Sequence, residues 1–309
     1  MKKTALFLAT LLMSLTTASA QWVRPVPEFS DIVVDGSTVQ YLYNVEAGGF
    51  LLGANNWETR ASISQSKGYK MMFSSSDEAA GTGNLAIAVG MTLTNVSLQD
   101  YAESTPTGTM WTEYDCSSWN QIWCDGAGRE GAGQWIITAI SEQRYNISNA
   151  YVEDLLFGWA PYAGDSTNTR CWMLDYTQTD DSGNPLFDQT KACTTWAVVS
   201  EADYEAWLPK MQTYEAAMTL GSYLSNAEAN YSGIDLSSPK AVYNNTNATL
   251  GQLEAALYQA KQTVYEYRIN NTQEGTDCTN MLENPAFTDG LNGWTCYNLV
   301  VGGLGMSVV

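Results

Sequence analysis

The sequence predicts a multi-domain protein that is mainly β in its first part and helical after that. Three observations lead to this prediction. Hairpin-like segments recur through residues 35–200 with a spacing of about sixty residues, which indicates stacked β units that share one core. The composition then changes at Ser200, and residues 201–270 carry apolar side chains at helical spacing. Finally, 45% of the 309 residues are hydrophobic and 15% are charged, so the chain can bury a sizeable core.

The first twenty residues have the pattern of a secretory signal peptide. Lys2 and Lys3 precede an apolar run from Ala5 to Met13, and an A-x-A cleavage pattern ends at Ala20. The alternative is a buried N-terminal strand. The run is too short to cross a bilayer, and no later stretch reaches the length of a spanning helix, so we expect an exported protein, secreted or at the cell surface, without a transmembrane segment. Residues 21–34, broken by prolines, are predicted to be an extended lead-in.

The charge balance and the absence of histidine exclude several functional classes. The formal charge is -19, and it becomes -21 without Lys2 and Lys3, so a nucleic-acid partner is not expected. With no histidine, the Ser-His-Asp triad and the usual zinc sites are excluded, and catalysis by paired carboxylates remains the open alternative. We therefore predict no catalytic residue, no metal and no cofactor in this chain, although a longer protein could still be an enzyme.

The β part consists of repeats that are built of hairpins. A segment from Tyr43 to Gly53 is followed by a similar one that begins at Tyr145, and each reads as a strand, a glycine-containing turn and a second strand. Each repeat ends in an aromatic residue among apolar neighbours. These endings predict a repeat-end core formed by Phe73, Gln134, Trp135 and Trp196.

Six cysteines in an exported chain favour disulfides over metal or redox chemistry. Of the fifteen possible connectivities, the simplest joins sequence neighbours. It pairs Cys116 with Cys124, Cys171 with Cys193, and Cys278 with Cys296. The alternative is that the cysteines are reduced.

Residues 201–270 are predicted to form an antiparallel helical hairpin. Pro209 is expected to open a second helical stretch because proline disrupts a helix interior, and a loop is expected over residues 230–247. The second long helix is expected to begin at Thr249, because Gln252 stands at the capping-box position. Such a hairpin could act as a spacer between modules or pack on another surface.

The Gln134-Trp135 ending and the hairpin repeats resemble the ricin-B-type β-trefoil, a lectin-like family recognised by Q-x-W repeats. The resemblance implies that residues 35–200 form a trefoil. In that family, sugar contacts come from an Asp, a stacking aromatic residue and an Asn or Gln. The nearest approaches here are Asp154 with Trp159 and Asn55 with Trp57. The alternative is that the two tryptophans pack between hairpins. The sequence also departs from the family pattern, because no Gln stands at the motif position before Phe73 or Trp196.

The C-terminal residues resemble the first strand of carbohydrate-binding jelly rolls in secreted bacterial proteins. Asn284, Phe287, Gly293 and Trp294 carry this resemblance, which implies a linker over residues 271–281 and the incomplete start of a β-sandwich over 282–309.

We therefore predict a non-catalytic, carbohydrate-binding module of a larger secreted or surface protein, with a glycan or polysaccharide as its partner. The alternative is a non-binding front end of a secreted glycosidase or peptidase whose catalytic domain lies beyond Val309.

Overall fold

The structure, a computed structural model, describes residues 22–53, 59–75, 88–95, 108–112, 121–124, 133–150, 152–162, 169–271, 294–299 and 303–308. The chain divides into two compact units. The first consists of Arg24–Gln212, and the second consists of Thr213–Val309 together with Met1–Val23. A β-rich first part followed by helices is confirmed.

The strands of the first unit fall into three successive groups of four or five. The first group contains β1 (Gln40–Asn44), β2 (Gly49–Gly53), β3 (Ala61–Ser64) and β4 (Met71–Ser75). The second contains β5 (Ala88–Asn95), β6 (Gly108–Thr109), β7 (Trp111–Thr112), β8 (Ile122–Trp123) and β9 (Trp135–Ser141). The third contains β10 (Arg144–Asn149), β11 (Val152–Gly158), β12 (Trp172–Leu174) and β13 (Trp196–Ser200).

The first and last strands of the three groups pair in a ring. Antiparallel pairs run from β1 to β4, from β4 to β5, from β5 to β9, from β9 to β10 and from β10 to β13. The pairing of β13 with β1, in which Tyr41 lies opposite Val199, closes the ring. A barrel-like sheet results, and its first strand lies beside its last.

The inner strands of each group form hairpins that meet one another. β2 pairs with β3, β7 with β8 and β11 with β12. Segments 59–64, 121–124 and 169–174, which we call the cap, are joined by isolated bridges. These bridges join Arg60 to Trp123, Ser62 to Arg170, and Gln121 to Trp172. Each of the three segments of the cap therefore contacts the other two.

Aromatic side chains fill the interior of the barrel-like sheet. Phe73, Trp135 and Trp196 are all fully buried. Phe157 stacks on Trp196 with 4.5 Å between ring centroids. The indole N–H of Trp196 donates to the carbonyl of Phe157 at 2.8 Å, and that of Trp135 donates to the carbonyl of Met110 at 2.9 Å. A backbone carbonyl of the same repeat therefore satisfies the N–H group of each of these two indoles, which offsets the cost of burying it.

Helix α1 (Glu201–Asn230) follows β13 without a break. The hydroxyl of Ser200 accepts a hydrogen bond from the backbone N–H of Asp203 at 3.1 Å, which satisfies one of the free donors of the first turn. Tyr204 stacks on Tyr41 at a centroid distance of 3.8 Å, so the start of the helix packs against β1.

The expectation that Pro209 opens a new helix is wrong, because α1 continues through it. Proline removes one backbone hydrogen bond and its ring opposes the preceding turn, a cost of about 3 kcal/mol. Trp207 and Met211 on either side of it are buried. Packing of these side chains offsets the penalty and keeps the helix continuous.

The second unit contains the remainder of α1, helix α2 (Ser237–Tyr243) and helix α3 (Leu250–Asn270). The predicted loop over 230–247 is therefore wrong in part, since α2 lies within it and makes three helices instead of two. The predicted start of α3 is confirmed: Thr249 and Gln252 form a capping box. The buried face of α3 presents Leu253, Ala256, Ala260 and Val264 to α1 and α2.

Two further strands, β14 (Trp294–Leu299) and β15 (Gly303–Val308), pair as an antiparallel hairpin. Asn284, Phe287 and Gly293, which carry the jelly-roll resemblance with Trp294, lie outside the described residues. Among the described residues, no helix combines the length and the apolar character that a membrane span requires.

Candidate binding pocket

A pocket of about 430 Å³ lies in the third repeat, among the residues that connect β11 to β13. It is formed by aromatic, proline and polar side chains. The lining residues are Pro161, Tyr162, Tyr176, Pro185, Leu186, Phe187, Asp188 and Gln189. The volume suits a small ligand or one residue of a larger one.

Backbone pairing brings the two walls of the pocket together. Trp159 and Cys193 exchange hydrogen bonds of 3.1 and 2.7 Å, and Tyr162 forms a bridge with Phe187. The close approach requires glycine at the end of β11, since a Cβ on Gly158 would lie 2.5 Å from the carbonyl oxygen of Cys193. The pocket is therefore part of the hairpin architecture and does not depend on a single loop.

A small apolar cluster packs against the residues that line the pocket. Trp172, Leu174 and Phe187 are buried in it together with Ala160. Tyr162 lies nearly parallel to Trp172, with an interplanar angle of 10° and 5.3 Å between centroids. Phe187 approaches Tyr162 edge-on at 5.8 Å. These offset and edge contacts are favoured arrangements of aromatic rings, so they hold the Tyr162 ring in a defined plane at the pocket.

Asp188 supplies a fixed carboxylate at the pocket. It accepts hydrogen bonds from the backbone N–H and the hydroxyl of Thr190 at 3.1 and 2.6 Å. It also forms an ion pair with Lys191 at 3.0 Å. The Thr190 hydroxyl, followed by the contact with Lys191, lowers the pKa of Asp188 below its usual value. The group is therefore an oriented carboxylate at neutral pH, and Gln189 adds an exposed amide next to it.

Tyr176 supplies a neutral phenol. Burial raises the pKa of Tyr176, and the nearby Cys193 thiol and Glu46 carboxylate raise it further. Glu46 is itself held in place, because its carboxylate accepts hydrogen bonds from the backbone N–H of Thr195 at 2.8 Å and from the Thr195 hydroxyl. The Tyr176 phenol thus keeps its proton at physiological pH.

The chemistry of this set suits binding. A carboxylate accepts hydrogen bonds, an amide both donates and accepts them, and the tyrosine and phenylalanine rings offer apolar faces. Within the described part of the chain, no cluster of three or more acidic or cysteine side chains could hold a metal ion.

The structure describes two of the four site residues that the sequence suggested. Asp154 is exposed on β11, whereas Trp159 is half-buried with its side chain packed against the main core of the first unit. Neither of them lines the pocket. The sugar-contact roles of Asp154 and Trp159 stay predictions. Asn55 and Trp57 lie outside the described residues.

The repeat-end residues differ in burial. Phe73, Trp135 and Trp196 lie in the core, but Gln134 is exposed, which contradicts its assignment to the core. The reason is local, because successive side chains of an extended segment point to opposite faces, and the neighbouring Trp135 is the one that is buried. The side chain of Gln134 is left on the outside.

The predicted disulfide between Cys171 and Cys193 is not formed, since both residues carry free, buried thiols. Cys171 packs in the main core, while the thiol of Cys193 donates to the carbonyl of Lys191 at 3.5 Å. Burial raises the pKa of both thiols, that of Cys193 to about 11. Cys124 is also buried, but Cys116, its predicted partner, lies outside the described residues, so this pairing stays a prediction.

The remaining cysteine assignments cannot be compared with the structure in the same way. Cys116 and Cys278 lie outside the described residues, and for Cys296 only the backbone of β14 is described.

Sequence reasoning missed the pocket residues because they come from separate segments. One signal was available: Tyr162, Tyr176 and Phe187 follow one another between β11 and β13, with Pro161 and Pro185 beside two of them. Connecting segments lie at the surface and often carry binding residues, so aromatic residues in such a segment indicate a candidate site.

Comparisons with known proteins do not assign a family. No protein-family model matches the sequence, and no curated protein matches it. A solved complex of lysenin with phosphocholine is similar, with a TM-score of 0.36, 12% identity, and coverage of 56% of this chain and 47% of that chain. The water-soluble chlorophyll protein from Brassica oleracea var. Botrytis with chlorophyll-b gives a TM-score of 0.38, 13% identity, and coverage of 58% and 99%.

An exo-β-1,3-galactanase from Clostridium thermocellum gives a TM-score of 0.27 and 14% identity, with coverage of 54% of this chain and 31% of that chain. The chain therefore spans about half of the lysenin chain and about a third of the galactanase. Since all of these TM-scores are low, the similarities identify neither a family nor a function for this chain.

Proposed function

We propose that residues 35–200 form a ricin-B-type β-trefoil and act as the carbohydrate-binding module of an exported, larger protein. The pocket between β11 and β13 is the ligand site in this proposal. The observation that carries it is the combination of a fixed Tyr162 ring with the Asp188 carboxylate and the Gln189 amide around one cavity. A pyranose ring needs this combination, because it presents an apolar face and a rim of hydroxyl groups.

The strand arrangement supports the trefoil part of the proposal. A trefoil consists of three similar hairpin units whose outer strands form a barrel and whose inner strands form a cap. The ring of six paired strands and the bridges that join the three segments of the cap agree with this plan. The spacing of Phe73, Trp135 and Trp196, each in the last strand of its group, also agrees with it.

The pocket differs from the sugar site that the sequence suggested. It uses an aromatic residue, an acid and an amide, which are the types that the resemblance implies, but they are Tyr162, Asp188 and Gln189. Asp188 already binds Thr190 and Lys191, so it can accept a ligand hydroxyl without having to be ordered first. This arrangement lowers the entropic cost of binding.

A glycan array probed with the purified chain tests the proposal. We expect binding to at least one glycan, and we expect Tyr162→Ala to weaken it at least about tenfold because the stacking surface is lost. The matched control is Tyr258→Ala, since Tyr258 is a tyrosine of α3 with 66% exposure that lies in the second unit.

Two results would contradict the proposal. One is the absence of binding across a broad array by a correctly folded chain, which would favour the non-binding alternative. The other is binding that Tyr162→Ala leaves intact, because the ligand site would then lie elsewhere.

A further inference from the structure

The cap contains an arginine in the interior of the protein. The side chain of Arg60 is buried, with only 4% of the residue exposed. Its guanidinium carbon lies 4.5 Å from the ring centroid of Trp172 and 5.5 Å from that of Trp123. Both distances are within the range of cation–π attraction, which is strong when the groups are removed from water. The arginine therefore contacts two indoles that belong to different segments of the cap.

Trp172 connects this arginine to the pocket. The same indole that contacts Arg60 also lies parallel to Tyr162, which lines the pocket. Phe187 meets the Trp172 ring edge-on at 5.5 Å and also lines the pocket. Arg60 itself is absent from the lining. The contact with Trp172 therefore gives Arg60 a route to the pocket through one side chain.

The planar guanidinium is well suited to fix an indole. It can lie against aromatic faces, whereas the ammonium of lysine is a compact point charge without a plane. Trp172 is 98% buried, and its indole N–H finds no hydrogen-bond acceptor among the described residues. Because no such hydrogen bond orients the ring there, its plane depends on packing contacts, of which Arg60 and Tyr162 supply two.

We propose that Arg60 is a positioning residue for the pocket: it fixes the plane of Trp172 and, through Trp172, the plane of the Tyr162 ring that a ligand would meet. The effect of Arg60 on the planes of Trp172 and Tyr162 is a property of the protein alone. The effect of Arg60 on a ligand rests on the proposed carbohydrate-binding function. The nearest arginine along the cap, Arg170, offers a comparison because it is exposed at the neighbouring segment.

The test uses the full chain with ¹³C-labelled tyrosine rings and NMR spectroscopy, with the Tyr162 signals assigned from the Tyr162→Phe variant. In the wild-type protein, the face of Trp172 shifts these signals away from their ordinary position. We expect Arg60→Met to move them back toward it and Arg170→Met to leave them in place. Unmoved Tyr162 signals in folded Arg60→Met protein would overturn the proposal.

A second variant covers the case in which Arg60→Met does not fold. Arg60→Lys keeps the charge without the plane, so we expect a displacement of the Tyr162 signals in the same direction. Unmoved signals in Arg60→Lys protein would then overturn the proposal.

The ligand half is tested with a glycan that binds the wild-type array sample. We expect Arg60→Met to weaken its affinity about two- to tenfold, the share of one aromatic contact, and Arg170→Met to leave it unchanged. If Arg60→Met displaces the Tyr162 signals but leaves the affinity for the glycan unchanged, the proposed effect of Arg60 on ligand binding is overturned. If no glycan binds the wild-type protein, the proposed function fails, whereas the NMR measurement still decides whether Arg60 positions Tyr162.

Discussion

Replacement of Gly158 by alanine is expected to separate the two backbone segments that form the pocket. The added Cβ would lie 2.5 Å from the carbonyl oxygen of Cys193, and backbone atoms cannot give way as a flexible side chain does. That same oxygen accepts hydrogen bonds from the backbone N–H of Trp159 at 3.1 Å and from the side-chain amide of Asn44 at 2.9 Å. Relief of the clash therefore weakens both hydrogen bonds.

The magnitude follows from these two hydrogen bonds. Each contributes about 0.5–1.5 kcal/mol, and a buried donor left without a partner costs about 1–3 kcal/mol. The amide of Asn44 is such a donor, since Asn44 is fully buried. We therefore expect Gly158→Ala to lower the free energy of unfolding by about 2–4 kcal/mol.

Gly183→Ala is the matched control. Gly183 has a φ of +82° and no atom within 4 Å of the position that a Cβ would take. Its replacement therefore costs backbone strain alone, about 1–2 kcal/mol.

Denaturation in guanidinium chloride, followed by tryptophan fluorescence, measures both values. Of the eleven tryptophans, all except Trp22 and Trp294 belong to the first unit, so the signal reports mainly on that unit. A loss of stability in Gly158→Ala that does not exceed the loss in Gly183→Ala would refute the steric reasoning.

Three further predictions concern a helix cap, a thiol and an acidic turn. Thr249→Ala removes the capping box of α3 and should lower the free energy of unfolding by about 1 kcal/mol, as thermal unfolding followed by circular dichroism can measure. Thr263→Ala, a half-buried mid-helix change, should lower it less, and equal losses would contradict this. Because burial raises the pKa of Cys193 to about 11, its thiol should resist labelling by a disulfide reagent at about pH 8 until the protein unfolds. Peptide mapping by mass spectrometry measures the labelling, and rapid labelling of the native protein would contradict this. Hydrogen bonds, the largest from the backbone N–H of Asn184, lower the pKa of Asp180 below 3.8, so the carboxylate stabilises the fold above that pH and ceases to do so as the pH falls through the lowered pKa. Between about pH 6 and about pH 3, the denaturation midpoint of Asp180→Asn should therefore fall less steeply than that of the wild-type protein. Identical slopes would contradict this.

The sequence was informative where local physics decides the structure. The Thr249 and Gln252 pair predicts the start of α3 because a capping box needs only residues three positions apart. The β-rich class of residues 35–200 was also predictable, because aromatic repeat endings such as Trp135 and Trp196 recur with turns between them. In both cases the determining contacts lie within one repeat or one helical turn.

The sequence was misleading where tertiary packing decides the structure. Pro209 remains inside α1 because buried side chains on both sides of it hold the helix together. Cys171 and Cys193 are neighbouring cysteines in the sequence, yet the Cys171 thiol packs in the main core and the Cys193 thiol donates to the carbonyl of Lys191. The pocket at Tyr162 and Asp188 depends on strand pairing across the third repeat, which no spacing along the chain specifies.

The pairing of β1 with β13 has a consequence for the order of folding. Tyr41 faces Val199, so the ring of strands cannot close until nearly the whole first unit is available. Loop closure over such a distance has a large entropic cost before any native contact compensates for it, and proteins with high contact order fold slowly. The three groups of strands therefore differ from solenoid repeats, which can fold one after another from a local nucleus. A nascent chain that stops before Trp196 leaves β1 with an open edge, and it is exposed to mispairing for as long as that strand is missing.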